Sequence, residues 1–209
     1  YLSHENREGR LPGTRGSKDA IAYLVKELKS YGVSPGNGNS FIQPFDITTG
    51  IKLKDNNHAV LNKDSLAVET DYIPLSFSSS GMTKGPVVFA GYGLNINEEQ
   101  LQWNDYAEID VKDKWVMVMR HSPERENSHS LFSSHSPLHK KMLVARDKGA
   151  AGIIFISQLE DKGLLPLSYI PGYNNAGIPA VHLSNDVADK ILSNNGWSRQ
   201  KIQETMNRS

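Results

Sequence analysis

The stretch at residues 83–123, TKGPVVFAGYGLNINEEQLQWNDYAEIDVKDKWVMVMRHSP, constrains the fold more than any other part of the chain. It holds two dense apolar runs, PVVFA at 86–90 and WVMVM at Trp115–Met119. Each is too short for a helix and rich in valine and aromatic residues, so each is predicted to be a buried strand. Gly85 and Pro86 open the first run, and Gly91 and Gly93 close it around Tyr92. Between the runs lies a polar excursion with Trp103, Tyr106 and the acids Asp105, Glu108 and Asp110, expected as a surface loop. The second run gives way to Arg120, His121, Ser122 and Pro123. Strand, glycine-bounded turn, loop and strand make a scaffold pattern, and none of its residues has to be catalytic.

The remaining elements follow from the same rules. Ile21, Leu24, Val25 and Leu28 recur at helical spacing, with Ser17 as the expected N-cap and Gly32 as the stop. Residues 41–47 alternate like a strand, with Pro44 confining it to a sheet edge. Leu138, Met142, Leu143 and Ala145 predict a helix over 138–148, stopped by Gly149. AAGIIFIS at 150–157 reads as a fully apolar strand, with Ala150, Ala151 and Gly152 small enough for close helix-to-strand approach. IPAVHL at 178–183 reads as a final strand, with His182 a core or sheet-face residue. Ser184 and Ser198 are placed to cap two last helices.

Composition removes several classes of function. The chain has 209 residues, room for one domain with an extra segment or for two small domains. Its 23 basic and 23 acidic residues balance to a formal charge of +0, so nothing calls for a nucleic acid or an anionic membrane as partner. With no cysteine there is no disulfide, no thiolate nucleophile and no thiolate zinc site. No apolar run approaches the ~20 residues of a membrane-spanning helix.

Two clusters suggest chemistry and do not sustain it. Ser78, Ser79 and Ser80 lack the Gly-x-Ser-x-Gly nucleophile elbow and read as a surface turn. His121, His129, His135 and His139 crowd one polar region. His135 and His139 have the i, i+4 spacing of helical metal ligands, but Pro137 between them should start the helix after His135. No Glu follows the first histidine as a zincin motif requires. The expected state is a solvated histidine- and serine-rich loop.

The order VVFAGYGL, WNDYAEIDVKDKWVMVMR, KGAAGIIFIS and IPAVHLS resembles the protease-associated (PA) domain inserted into secreted di-zinc aminopeptidases. Glu8-Gly9-Arg10, Gly13-Thr14 and Gly16 are similar to the opening of the peptidase domain in the same family. The resemblance implies a mixed α/β fold: a β-sandwich or open barrel flanked by two or three helices, with a separate N-terminal helix. It implies residues 1–36 as peptidase-domain segment and helix, and 37–209 as PA domain with connecting C-terminal helices. It also implies an extracellular or periplasmic location after loss of a signal peptide.

The family's two zinc ions activate a water and polarise the scissile carbonyl, held by a His-x-Asp pair, a bridging Asp, a Glu-Glu pair, a further carboxylate and a last His. No His-x-Asp occurs here, and the one Glu-Glu pair, Glu98-Glu99, falls in the polar excursion. No catalytic residue and no metal ligand is therefore carried over, and no cofactor is expected in this chain; both zinc ions are expected in a peptidase domain of the same polypeptide. The implied role is a non-catalytic wall or lid of the substrate cleft that limits access of a peptide or protein substrate. Tyr92, Leu94, Trp103, Tyr106, Tyr169 and Tyr173 are the candidate cleft-facing residues, on aromatic and glycine-bearing loops. The alternative is a free-standing module that binds a peptide or protein through the same loops.

Overall fold

A computed structural model describes residues 1–48, 50–125, 127, 129–168, 175 and 177–206. The chain forms two compact units, Tyr1–Thr49 and Gly50–Ser209; residues 37–48 thus belong to the first.

In the first unit a 3-10 helix, Glu5–Arg10, precedes helix α1, Arg15–Ser30. The helix starts before Ser17 because Thr14, in extended conformation, is the better placed cap. The Thr14 hydroxyl accepts the Ser17 N–H at 3.2 Å, and the Glu8 carboxylate accepts that of Gly16 at 2.8 Å. These two acceptors satisfy N–H groups that every helix start leaves free. Tyr31 caps the other end and Gly32 follows with φ +75°. The predicted apolar face is present, with Ile21, Leu24 and Leu28 exposed. Residues 41–47 form no strand. Their alternation finds no ladder to join, and Pro44 has no N–H to give one.

The second unit opens with a hairpin of β1, Ala59–Leu61, and β2, Asp64–Leu66. Next come β3, Tyr72–Pro74, and β4, Val87–Phe89. The excursion read as a loop contains a second hairpin, β5, Asn95–Glu98, and β6, Leu101–Asn104. Its short alternation pairs Ile96 with Trp103, and the Trp103 ring meets Phe132 edge-on at 5.2 Å. After β7, Trp115–Met119, follow α2, Leu138–Asp147, β8, Gly152–Ile156, β9, Ala180–Leu183, α3, Asn185–Ser193, and α4, Arg199–Met206. Ser184 and Ser198 accept N–H groups of the helices they precede, as expected.

The mixed α/β class is met, and its β-rich part is built on a five-stranded sheet of order β3-β9-β8-β7-β4. Strands β4, β7, β8 and β9 are mutually parallel, and β3 runs antiparallel at one edge. Alternation along β7 and β8 divides the core. Met117, Met119, Ile154 and Ile156 face Val187, Leu192 and Ile202 of α3 and α4. Val116, Val118, Ile153 and Phe155 face Met142 and Ala145 of α2. A sheet covered on both faces needs the near-continuous apolar strands that the sequence shows. Among the described residues no helix is long and apolar enough to cross a membrane.

Gly152 serves the sheet rather than a helix. It lies opposite Trp115 in the β7–β8 register, and a Cβ there would stand 2.6 Å from the indole ring. Gly152→Ala is therefore expected to lower stability by about 1–3 kcal/mol through overpacking. Urea unfolding followed by tryptophan fluorescence measures this directly, and an unchanged midpoint would refute the close approach.

Candidate functional site

Because four strands run parallel, their carboxyl ends share one edge of the sheet. In open parallel sheets that edge is where ligands bind. Here polar residues follow each apolar run: Tyr92 after β4, Arg120 and His121 after β7, Ser157 and Gln158 after β8. Of these, Arg120, His121 and Gln158 meet at Asp161, whose side chain is only 9% exposed. His121 Nε2 lies 3.0 Å from Asp161 Oδ2, Arg125 Nη2 donates to Oδ1 at 2.9 Å, and Arg120 Nη1 stands 3.7 Å away. The Gln158 N–H donates to Oδ2 at 3.2 Å. Burial pushes the Asp161 carboxyl up, but Arg120, His121 and Arg125 outweigh it and hold it below the usual range. His121 is lowered, first by burial and then by the two arginines, against the pull of Asp161. It is thus held toward its neutral form, which donates to the carboxylate through Nε2.

A second layer lies beneath. Lys141 of α2 is 0% exposed, and its amine donates to the Met119 carbonyl at 3.0 Å and to the His121 carbonyl. His121 has φ +62°, an uncommon conformation for a residue with a Cβ. Asp105 accepts the N–H groups of Tyr92, at 3.1 Å, and Leu94, at 2.9 Å, and so ties down the turn after β4. Gly91 and Gly93 both have positive φ in that turn, and a Cβ on Gly91 would lie 2.5 Å from the Asp105 carboxylate. Burial raises the Asp105 carboxyl, opposed by the Leu94 N–H and the Trp103 side chain.

One Ser–His contact lies at the same edge. Ser157 Oγ is 3.0 Å from His182 Nε2, and both residues are buried. The Leu165 N–H donates to His182 Nδ1 at 3.1 Å. Nδ1 must therefore carry the lone pair, which leaves the ring proton on Nε2, pointing at Ser157. An imidazole so protonated cannot take the serine proton, so the pair does not form a nucleophile and its general base. Burial, with the Arg120 charge, lowers the His182 pKa to about 4 and keeps the ring neutral.

Of the candidate cleft-facing residues that the structure describes, none stands on an open surface. Tyr92, Leu94 and Tyr106 are core side chains, and Trp103 is half-buried against Phe132. The reason is their spacing after a buried strand: the glycine turn folds the chain back over the sheet and carries its aromatics inward. Tyr169 and Tyr173 lie outside the described residues. The four histidines separate: His121 meets Asp161, His129 is exposed, His135 sits 3.0 Å from Glu98, and His139 packs edge-on to Phe77 at 5.6 Å. Among the described residues no group of three His, Cys, Asp or Glu side chains could hold a metal ion. Sequence reasoning passed over Lys141, Ser157 and Asp161. For Ser157 the signal was present, a polar residue directly after a buried parallel strand.

This architecture is that of an α/β module with a tightly paired polar edge. A family model described as the PA domain matches residues 83–191, just over half of the chain, and the chain belongs to that family. Among solved structures it is similar to the aminopeptidase from Aneurinibacillus sp. strain AM-1, at 15% sequence identity and a TM-score of 0.49. That similarity covers 88% of this chain and 36% of the other, so the chain spans little more than a third of its length. No curated protein matches the chain.

Two measurements test the polar edge. An unfolded histidine titrates near 6.5, whereas His182 does so at about 4. Its contribution to stability is therefore complete above pH 6.5 and is lost as pH falls toward 4, a change of about 3 kcal/mol. Urea midpoints at pH 7, 5.5 and 4.5 should show this loss, and His182→Gln should flatten the dependence over that window. Asp161→Asn leaves the two guanidinium groups of Arg120 and Arg125 facing a neutral amide and should cost about 2 kcal/mol at pH 7. A loss under half of that in urea unfolding would show that the two arginines do not depend on the carboxylate.

Proposed function

We propose that this chain is the non-catalytic accessory part of a zinc-dependent aminopeptidase, where its PA domain borders the substrate cleft and limits which peptides enter. The observation that carries this reading is the PA domain match over residues 83–191. The geometry of the polar edge supports it. Asp161 is engaged by two arginines and His121, and the ring proton of His182 points at the serine it would have to activate. Groups so committed to one another stabilise a scaffold better than they serve a reaction.

On this reading the two zinc ions and the general base belong to a peptidase domain of the same polypeptide, and the location is extracellular or periplasmic. The module contributes shape: the covered sheet fixes the loops at its carboxyl edge, and these present a wall to the substrate.

The test is the size and activity of the native polypeptide. An antibody to this chain should detect a band well above 23.2 kDa in the source cells. Immunoprecipitation should recover aminopeptidase activity that a zinc chelator removes and added zinc restores. A native band at 23.2 kDa without recoverable peptidase activity would overturn the proposal and leave a free-standing binding module.

A further inference from the structure

Lys141 is the most costly side chain in the second unit. It is fully buried, and an ammonium taken out of water is stable only when its charge is paired. Its two hydrogen-bond acceptors are neutral carbonyls, those of Met119 and His121, and its third side faces the Tyr92 ring, with 5.6 Å from Nζ to the centroid. Among the described residues no carboxylate lies within ion-pair distance of it. The charged and titratable groups around it come from three other elements. Asp105, beyond β6, attracts the charge from a distance. Arg120, beyond β7, repels it. His121 stands beside Arg120 and is held toward its neutral form. Tyr92, beyond β4, offers a ring whose hydroxyl is kept protonated by burial.

The position matters as much as the burial. The two carbonyls that Lys141 holds flank Arg120 in the chain, and the second belongs to the left-handed residue His121. Arg120 and His121 are two of the three side chains that hold Asp161. The α2 side chain therefore seats the end of β7 and, through it, the cluster that ties β7 to the segment after β8.

We propose that Lys141 is a proton-linked latch: the end of β7 lifts from α2 by hydrating the Lys141 amine, and that opening takes up a proton. In the closed state burial and Arg120 act against the charge and Asp105 acts for it, and the amine titrates at about 7 instead of its ordinary 10.5. The open amine, in water, regains the ordinary value. Between these limits the open form binds one proton more than the closed form. Opening is then favoured as pH falls toward 7 and suppressed as pH rises above it. Below pH 7 both forms are protonated and the dependence ends. Acidification thus frees the Arg120–His121–Asp161 edge without unfolding the sheet.

Amide exchange tests this at two reporters. The Met119 N–H is bonded to Gly91 O and the Arg120 N–H to Ile156 O, so both exchange only when the edge opens. After correction for the intrinsic pH dependence of exchange, their opening constants should fall by about tenfold or more between pH 7 and pH 9. The slope should vanish in Lys141→Met. A parallel measurement needs no variant: the 13Cε signal of Lys141 in lysine-labelled protein should titrate near 7. Equal opening at pH 7 and pH 9, an unchanged slope in Lys141→Met, or a 13Cε midpoint near that of a free lysine would each overturn the proposal. If Lys141→Met does not fold, the lysine signal decides alone.

Discussion

The pairing of β7 with β8 is the constraint on which the rest of the second unit depends. Five residues of each strand stand in parallel register, from Trp115 opposite Gly152 to Met119 opposite Ile156. Both strands are covered on both faces, so each side chain has one of two cores to fill, and of the ten only Trp115 is partly exposed. The register admits no one-residue slip, because a slip would exchange the two cores. The Trp115 ring over Gly152 fixes the same register sterically, since only a residue without Cβ leaves room for the indole.

Parallel pairing has a second consequence, on polar chemistry. It brings several carboxyl ends together, and a chain leaving a buried strand must satisfy its backbone and polar groups at once. Here that demand is met from within. Lys141 holds the carbonyls at the end of β7, Asp105 holds the amides after β4, and Asp161 gathers the cations that follow β7. The edge that in other open sheets receives ligands is in this unit largely occupied by its own side chains.

The first unit follows simpler physics. Its helix is capped by Thr14 and Glu8, two acceptors whose value lies in position rather than residue type. Ser17 satisfied the type rule equally well and lost because its own N–H is the group that Thr14 caps. The alternation at 41–47 shows the opposite lesson: a strand pattern without a neighbouring edge makes no strand.

What the sequence determined by itself was whatever depends on local composition. The apolar runs at 86–90, Trp115–Met119 and 150–157 read as strands from their length and residue types, and Gly32 and Gly149 marked helix ends through the positive φ they adopt. The absence of cysteine and the balanced charge were equally plain. The tertiary structure decided which side chains of the turn and loop after β4 point inward, so Tyr92, Leu94 and Tyr106 became core. It decided the proton position on His182, which rests on an N–H from Leu165. It also joined Asp161 to Arg120, His121 and Arg125 across dozens of residues of chain. The physical reason is one of range. Propensity and periodicity act over a few neighbours, whereas ion pairs, tautomers and burial are set by groups that only the folded chain brings together.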